Sequence, residues 1–173
     1  ARRLGFDGFS YADLAEDVGI RKASIHHHFP TKAALSVALM QRYAARIDAA
    51  CVEISETHAT AALQLGAFVA LYRAALGDGS SLCLCVSFSI SRAHLSQEAV
   101  AEITAFRQLV IAWLKCVYLL GLSDHSIAGI SDPDQEAAAT LALLEGAQLA
   151  ARAEENVSTF DAAVASIGAR ITA

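Results

Sequence analysis

Leu35, Leu39, Tyr43, Ile47, Cys51 and Ile54 return every three or four residues through a stretch with no proline or glycine. At about 3.6 residues per turn this spacing puts all six on one side of an α-helix. A strand is excluded, because its faces alternate at every second residue. A rod of this length must be packed along its whole apolar stripe, so the chain has to build around it. Only two prolines interrupt the rest of the sequence, and alternating strand patterns are scarce. Alanine and leucine dominate, and the expectation is an all-α fold.

Capping residues divide the chain. Ser10 is placed to N-cap a helix, with Asp13 three residues on as a capping-box variant. Tyr11, Leu14, Ala15 and Val18 then share one face, and Gly19 supplies the stop. A short segment, 21–29, is closed by Pro30, and Thr31 caps the long helix. Another helix is expected over 59–76, ended by GDGSS. LCLCVSFSISRAH (82–94) has the β-branched and aromatic content of a strand, but its isolation among helices favours a helix. Ser96 caps a helix to about Leu120, with Val100, Ile103, Phe106, Val110, Trp113 and Val117 on its buried side and Gly121 as its stop. Asp132-Pro133 opens a helix reaching about 155. Ser158, with Asp161 three on, opens a last helix carrying Phe160, Val164, Ile167 and Ile171. The natural division is a small unit over 1–47 and a helical body over 48–173.

Hydrophobic residues make up 55% of the chain and charged residues 18%. Such a chain is expected to bury apolar surface against a partner as well as within itself. The longest strongly apolar run, LVIAWLKCVYLLGL (109–122), is short for a membrane span and contains Lys115. ARRLGFDG lacks the apolar stretch of a signal peptide. Both point to a cytoplasmic protein without a membrane partner. Cys51, Cys83, Cys85 and Cys116 form no CxxC pair and read as buried free thiols. Residues 1–47 hold seven basic and four acidic residues, net +3, whereas 48–173 are net −8. A positive head on an acidic body fits one polyanion-facing end.

GIRKASIHHHFPTK (19–32) carries three consecutive histidines. On a helix they fan over about 200° and cannot converge on one ion. Ile25 and Phe29 define an inward face with Ile20. Ala23, Ser24, His26 and His27 then face outward, with Lys22 at the opening turn and His28 nearer the core edge. Small residues let the backbone approach a DNA major groove, and hydroxyl and imidazole groups bond to phosphates or base edges. Two short helices joined by a glycine turn form the helix-turn-helix arrangement. On pattern alone, an exposed polar helix of a bundle accounts for this face equally well.

GFDGFSYADLAEDVGIRKASIHHHFPTKAAL (5–35) resembles the DNA-binding region of the tetracycline-repressor (TetR) family, with nearly every apolar and glycine position in register. LCLCVSFSISRAHLSQEAVAEITAFRQLVIAWL (82–114) and LALLEGAQLAARA (141–153) resemble its regulatory body, in a subgroup with an L-C-L-C segment. The resemblance implies a homodimeric regulator, usually a repressor, that leaves a palindromic operator when a small-molecule effector enters the body. It implies a helix-turn-helix over about 10–29. Ser10, Arg21, Lys22, Ala23, Ser24, His26, His27 and Lys32 are the expected DNA-facing residues. The last two helices would pair with their copies through Leu141, Leu144, Gln148, Leu149, Phe160, Val164, Ile167 and Ile171. An effector pocket would lie among the helices of 59–120, with Phe68, Tyr72, Phe88, Phe106, Trp113 and Tyr118 as lining.

Three positions depart from the family pattern. Arg21 replaces a serine, losing a side-chain cap and gaining a candidate phosphate contact. His26 replaces a tyrosine, so base preference does not transfer. The family's first helix would precede Gly5, where only ARRL stands, so that helix is expected to be incomplete. A chain truly beginning at Ala1 would bind DNA poorly.

No phosphate loop, nucleophile elbow or metal-ligand cluster appears, so no catalytic residue, metal or cofactor is assigned and no enzyme is expected. The competing readings are a helical interaction module that has lost DNA binding and a thiol sensor at Cys83 and Cys85. On a helix those two cysteines point about 200° apart.

Overall fold

The computed structural model describes residues 1–171. Among them are eight α-helices and a short 3-10 turn. The helices are α1 (Tyr11–Val18), α2 (Lys22–His28), α3 (Lys32–Thr57), α4 (Ala61–Ala74), α5 (Leu84–Ile90), α6 (Gln97–Asp124), α7 (Pro133–Glu154) and α8 (Val157–Gly168), and the 3-10 turn spans Arg92–His94. The described residues contain no strand, only an isolated antiparallel bridge between Ile127 and Ile171. The fold is all-α, as expected, and the ambiguous 82–94 stretch is helical.

Local caps set most helix starts. Ser10 Oγ accepts from the Ala12 and Asp13 amides at 3.2 and 3.3 Å, and Asp13 Oδ2 accepts from the Ser10 amide at 2.6 Å. This is the reciprocal capping box, in which each side chain satisfies a donor that the helix leaves free. Thr31, Ser96 and Asp132 cap α3, α6 and α7 as the sequence indicates. Two ends differ. The last helix is capped by Asn156, whose side chain accepts from Ser158, so Ser158 lies inside its first turn. Helix α6 runs through Gly121 to Asp124 and ends at His125, a left-handed residue at φ 57°. A Cβ at Gly121 would meet Ile130 Cδ1 at 3.0 Å and Ile127 Cδ1 at 3.2 Å. The glycine gives room for the close approach of the following loop and does not end the helix.

Buried apolar side chains form two clusters. The smaller joins Phe9 and Tyr11 to Ile25 of α2 and Leu35 of α3, while the larger takes Met40, Tyr43, Ile47, Cys51 and Ile54 from α3 onward. Leu39 packs against both. α3 is thus one uninterrupted helix shared by two cores, about 39 Å long at 1.5 Å per residue over its 26 residues. The Tyr11 hydroxyl donates to the Phe29 carbonyl at 2.8 Å, closing α1 over the end of α2. Across the body, Gln41 Nε2 donates to Glu102 at 2.7 Å and Trp113 Nε1 donates to Ser55 Oγ at 3.0 Å, binding α3 to α6.

α6 is long and apolar enough to cross a membrane, with a mean hydropathy of 1.5 over its most apolar window. The full helix is longer than the apolar run visible in the sequence. Here it is a core helix: Ile103, Phe106, Val110, Leu114 and Val117 are buried and it packs on α3, α4, α5 and α7.

Gln148 of α7 is fully buried. Its Oε1 accepts from the Cys83 amide and its Nε2 donates to the Tyr72 carbonyl, each at 2.8 Å. One side chain therefore ties α7 to the start of α5 and to α4. Replacement by leucine keeps the volume but strands two buried backbone groups. Gln148→Leu is expected to cost roughly 2–4 kcal/mol, read as a lowered midpoint in urea denaturation.

Candidate nucleic-acid interface

α1 and α2 are joined by residues 19–21. Gly19 adopts a left-handed conformation, φ 72°, and its amide closes α1. A side chain at this φ is disfavoured, which explains the glycine. α2 is anchored by one buried residue, Ile25, with Phe29 half-buried behind it. Lys22, Ala23, Ser24, His26 and His27 are all exposed, so the outward face expected from helical spacing exists. His28 is also exposed, and its ring meets that of His27 edge-on at 5.3 Å. The His26 ring lies 4.5 Å from that of Tyr11, which orients the imidazole across the helix pair. Arg21 caps α2 without a side-chain bond, leaving its guanidinium exposed. Ser10 is exposed too, with Oγ accepting the α1 amides.

Lys32 is placed otherwise than expected. Its ammonium donates to the Phe9 carbonyl and lies 4.7 and 4.3 Å from the ring centroids of Phe6 and Phe9. A cation held over two aromatic faces and a carbonyl braces the unit from inside. It does not extend toward a phosphate in this conformation.

Further corrections fall in the body. Phe68, Phe88, Phe106 and Tyr118 are enclosed by protein rather than lining a pocket. Phe68 packs on the rings of Tyr72 and Trp113, Phe88 on Phe6, and Phe106 on Tyr43, while the Tyr118 hydroxyl bonds to Thr140 Oγ1 at 2.5 Å. Trp113 is half-buried against α3. Of the six aromatic candidates, Tyr72 lines a cleft of about 300 Å³ between α3, α4 and α7. Leu141, Leu144, Gln148 and Phe160 are likewise sealed inside one chain, so their side chains are not available to a second copy. Val164 and Ile167 retain only 8% and 7% exposure, and the Ile171 backbone bridges to Ile127. Leu149, at 41% exposure, is the one of the eight that clearly faces outward.

Cys51, Cys83 and Cys85 are buried free thiols, while Cys116 is exposed. Burial pushes the Cys83 and Cys85 thiols up, away from the reactive thiolate. Arg107, ion-paired to Glu145, opposes this for Cys85 without reversing it. Among the described residues no three His, Cys, Asp or Glu side chains gather into a metal site.

Comparison with known proteins decides what the helix pair belongs to. Residues 2–39 match the bacterial regulatory proteins of the tetR family. A TetR-family transcriptional regulator from Agrobacterium tumefaciens superposes with a TM-score of 0.91 at 31% identity, covering 99% of this chain and 90% of that one. The chain belongs to the TetR family. It is a DNA-binding transcriptional regulator, with an N-terminal helix-turn-helix and a helical C-terminal domain. The HTH-type transcriptional repressor NemR of Escherichia coli is 26% identical over 174 residues, which cover 94% of this chain and 83% of NemR. The reduced form of E. coli NemR superposes with a TM-score of 0.81, covering 98% of this chain. A TetR regulator from Legionella pneumophila, 25% identical, gives 0.85 over 99%.

In this TetR-family body the Tyr72 hydroxyl is buried and, among the described residues, is the one buried side-chain polar atom with no hydrogen-bond partner. An unsatisfied buried hydroxyl destabilises the fold. Tyr72→Phe is therefore expected to raise stability, by about 1 kcal/mol, measured by urea denaturation of the unliganded protein.

Proposed function

We propose that this regulator is a homodimeric repressor that reads a palindromic operator with α2 and releases it when a small-molecule effector occupies the body. The carrying observation is the exposed face of α2: Lys22, Ala23, Ser24, His26 and His27 all open to solvent on a helix anchored by Ile25. Small side chains let this helix seat deeply, and Ser24 and the two imidazoles offer donors and acceptors to base edges. Lys22, Arg21 and the exposed Ser10 supply phosphate contacts, which position the unit without reading sequence. In the dimer the two α2 helices should stand about 34 Å apart, one turn of duplex.

The dimer reading rests on the family, and the partner surface is drawn here from the outer sides of α7 and α8. Ala142, Gly146 and Leu149 are exposed on α7, and Ala162, Ala165 and Ala169 follow on α8 and just beyond it. These small residues let helices from two copies approach closely. A cytoplasmic location and a division into 1–47 and 48–173 complete the reading. The transmission element is α3, whose first turns hold the DNA unit and whose later turns line the body.

Fluorescence anisotropy with the protein's own upstream DNA tests the proposal. Lys22→Ala should weaken binding across sequences and lower the salt slope by about one. His27→Ala should instead change the ranking of operator variants. Unchanged affinity of the lysine variant at every salt concentration removes Lys22 from the interface.

A further inference from the structure

Between α3, α4 and α7 lies a cavity of about 300 Å³. Ile47 and Ala50 of α3 and Leu71 of α4 give it an apolar wall. Arg2 and Arg46 supply its charge, Tyr43 and Tyr72 line it too, and no carboxylate does. Arg46 lies over the Tyr43 ring at 5.3 Å, and none of the ion pairs among the described residues involves it. Arg2 donates to the carbonyls of Leu82 and Ala75, which orient the guanidinium without neutralising it. Four of the five arginines of the body contrast with this, Arg92 being the exception. Arg73, Arg107, Arg152 and Arg170 are each matched to a carboxylate.

A wider adjoining cleft of about 730 Å³ shares Arg2, Tyr43 and Arg46. It adds Arg3 and Arg42, with Asp17 as its one acid. Four arginines against one carboxylate thus line two adjoining hollows, one of them walled by helices of a body whose net charge is −8. Like charge lining a concave surface raises the local concentration of anions.

The size and the wall narrow the class. At the packing density of organic crystals, such a cavity holds roughly a dozen non-hydrogen atoms. Guanidinium groups match a carboxylate in geometry as well as charge. Two guanidiniums and the phenols of Tyr43 and Tyr72 supply the cavity's donors, Gln148 being committed to backbone groups, and most of the wall offers only carbon, which suits a singly charged head with an apolar tail. We infer that this cavity binds a small organic monocarboxylate, its carboxylate held by Arg46 and Arg2 and its apolar part against Ile47, Ala50 and Leu71. The occupant rests on Tyr43–Ala50 of α3, the helix that also holds Leu35 beside Ile25 of the DNA unit. This names the effector class and depends on the effector reading above only for its regulatory consequence.

Calorimetry on the full chain tests the inference, with benzoate, 3-phenylpropionate and octanoate each compared with its primary amide. At least one acid is expected to bind about tenfold or more tighter than its amide. Arg46→Gln should abolish that preference and leave the weak amide affinity unchanged, and Arg46→Lys should retain part of it. Circular dichroism confirms that both variants are folded. Equal affinity of acid and amide, a preference that survives Arg46→Gln, tighter binding of phenyl phosphate than of every acid, or no saturable binding by any of the three acids overturns the inference. Anisotropy on operator DNA is the separate arm. An acid that binds through Arg46 and leaves DNA affinity unchanged sinks the effector reading while the ligand class stands.

Discussion

A single helix serving two hydrophobic cores is the constraint on which this molecule turns. α3 contributes Leu35 to the small cluster and Met40, Tyr43, Ile47, Cys51 and Ile54 to the large one, with Leu39 between them. Because the helix has no proline, no glycine and no break, neither core can shift along it without carrying the other. Close-packed interiors respond to such a shift by repacking rather than by continuous deformation. The orientation of α2 is therefore tied to whatever sits against Tyr43–Ala50. The link from DNA unit to body is one of geometry, with Gln41–Glu102 and Trp113–Ser55 holding the helix to α6.

The polar interior has a similar economy. Gln148 joins three helices through one amide, using both its donor and its acceptor on backbone groups that would otherwise be unpaired. Arg107 and Glu145 pair beside Cys85, while the buried Tyr72 hydroxyl has no partner among the described residues. Burial also keeps Cys83 and Cys85 protonated, which weighs against their acting as reactive sensors.

Helix starts and the family were legible in the sequence, because a cap is a contact between residues two or three apart. Ser10, Thr31, Ser96 and Asp132 all cap as their spacing indicates. The exposed face of α2 was legible for the same reason, since a 100° step per residue determines which side chains oppose Ile25. Gly121 was misread as a stop because the two isoleucines that crowd it arrive from a later loop. Lys32 was misplaced because the rings that hold it, Phe6 and Phe9, lie more than twenty residues earlier.

Periodicity and capping in the sequence determined an all-helical chain with a helix-turn-helix at its N-terminal end and a polar α2 face. Tertiary structure alone decided which buried residues of α7 and α8 turn inward, which aromatic rings fill the core, and which arginines stay without a carboxylate. The physical reason is range. Helical periodicity puts Leu149 about 140° around α7 from Leu144, but only the packing decides which of those sides meets its own chain and which meets open solvent. Charge pairing is equally non-local: Arg73 finds Asp161 across 88 residues, while Arg46 is in none of the ion pairs among the described residues.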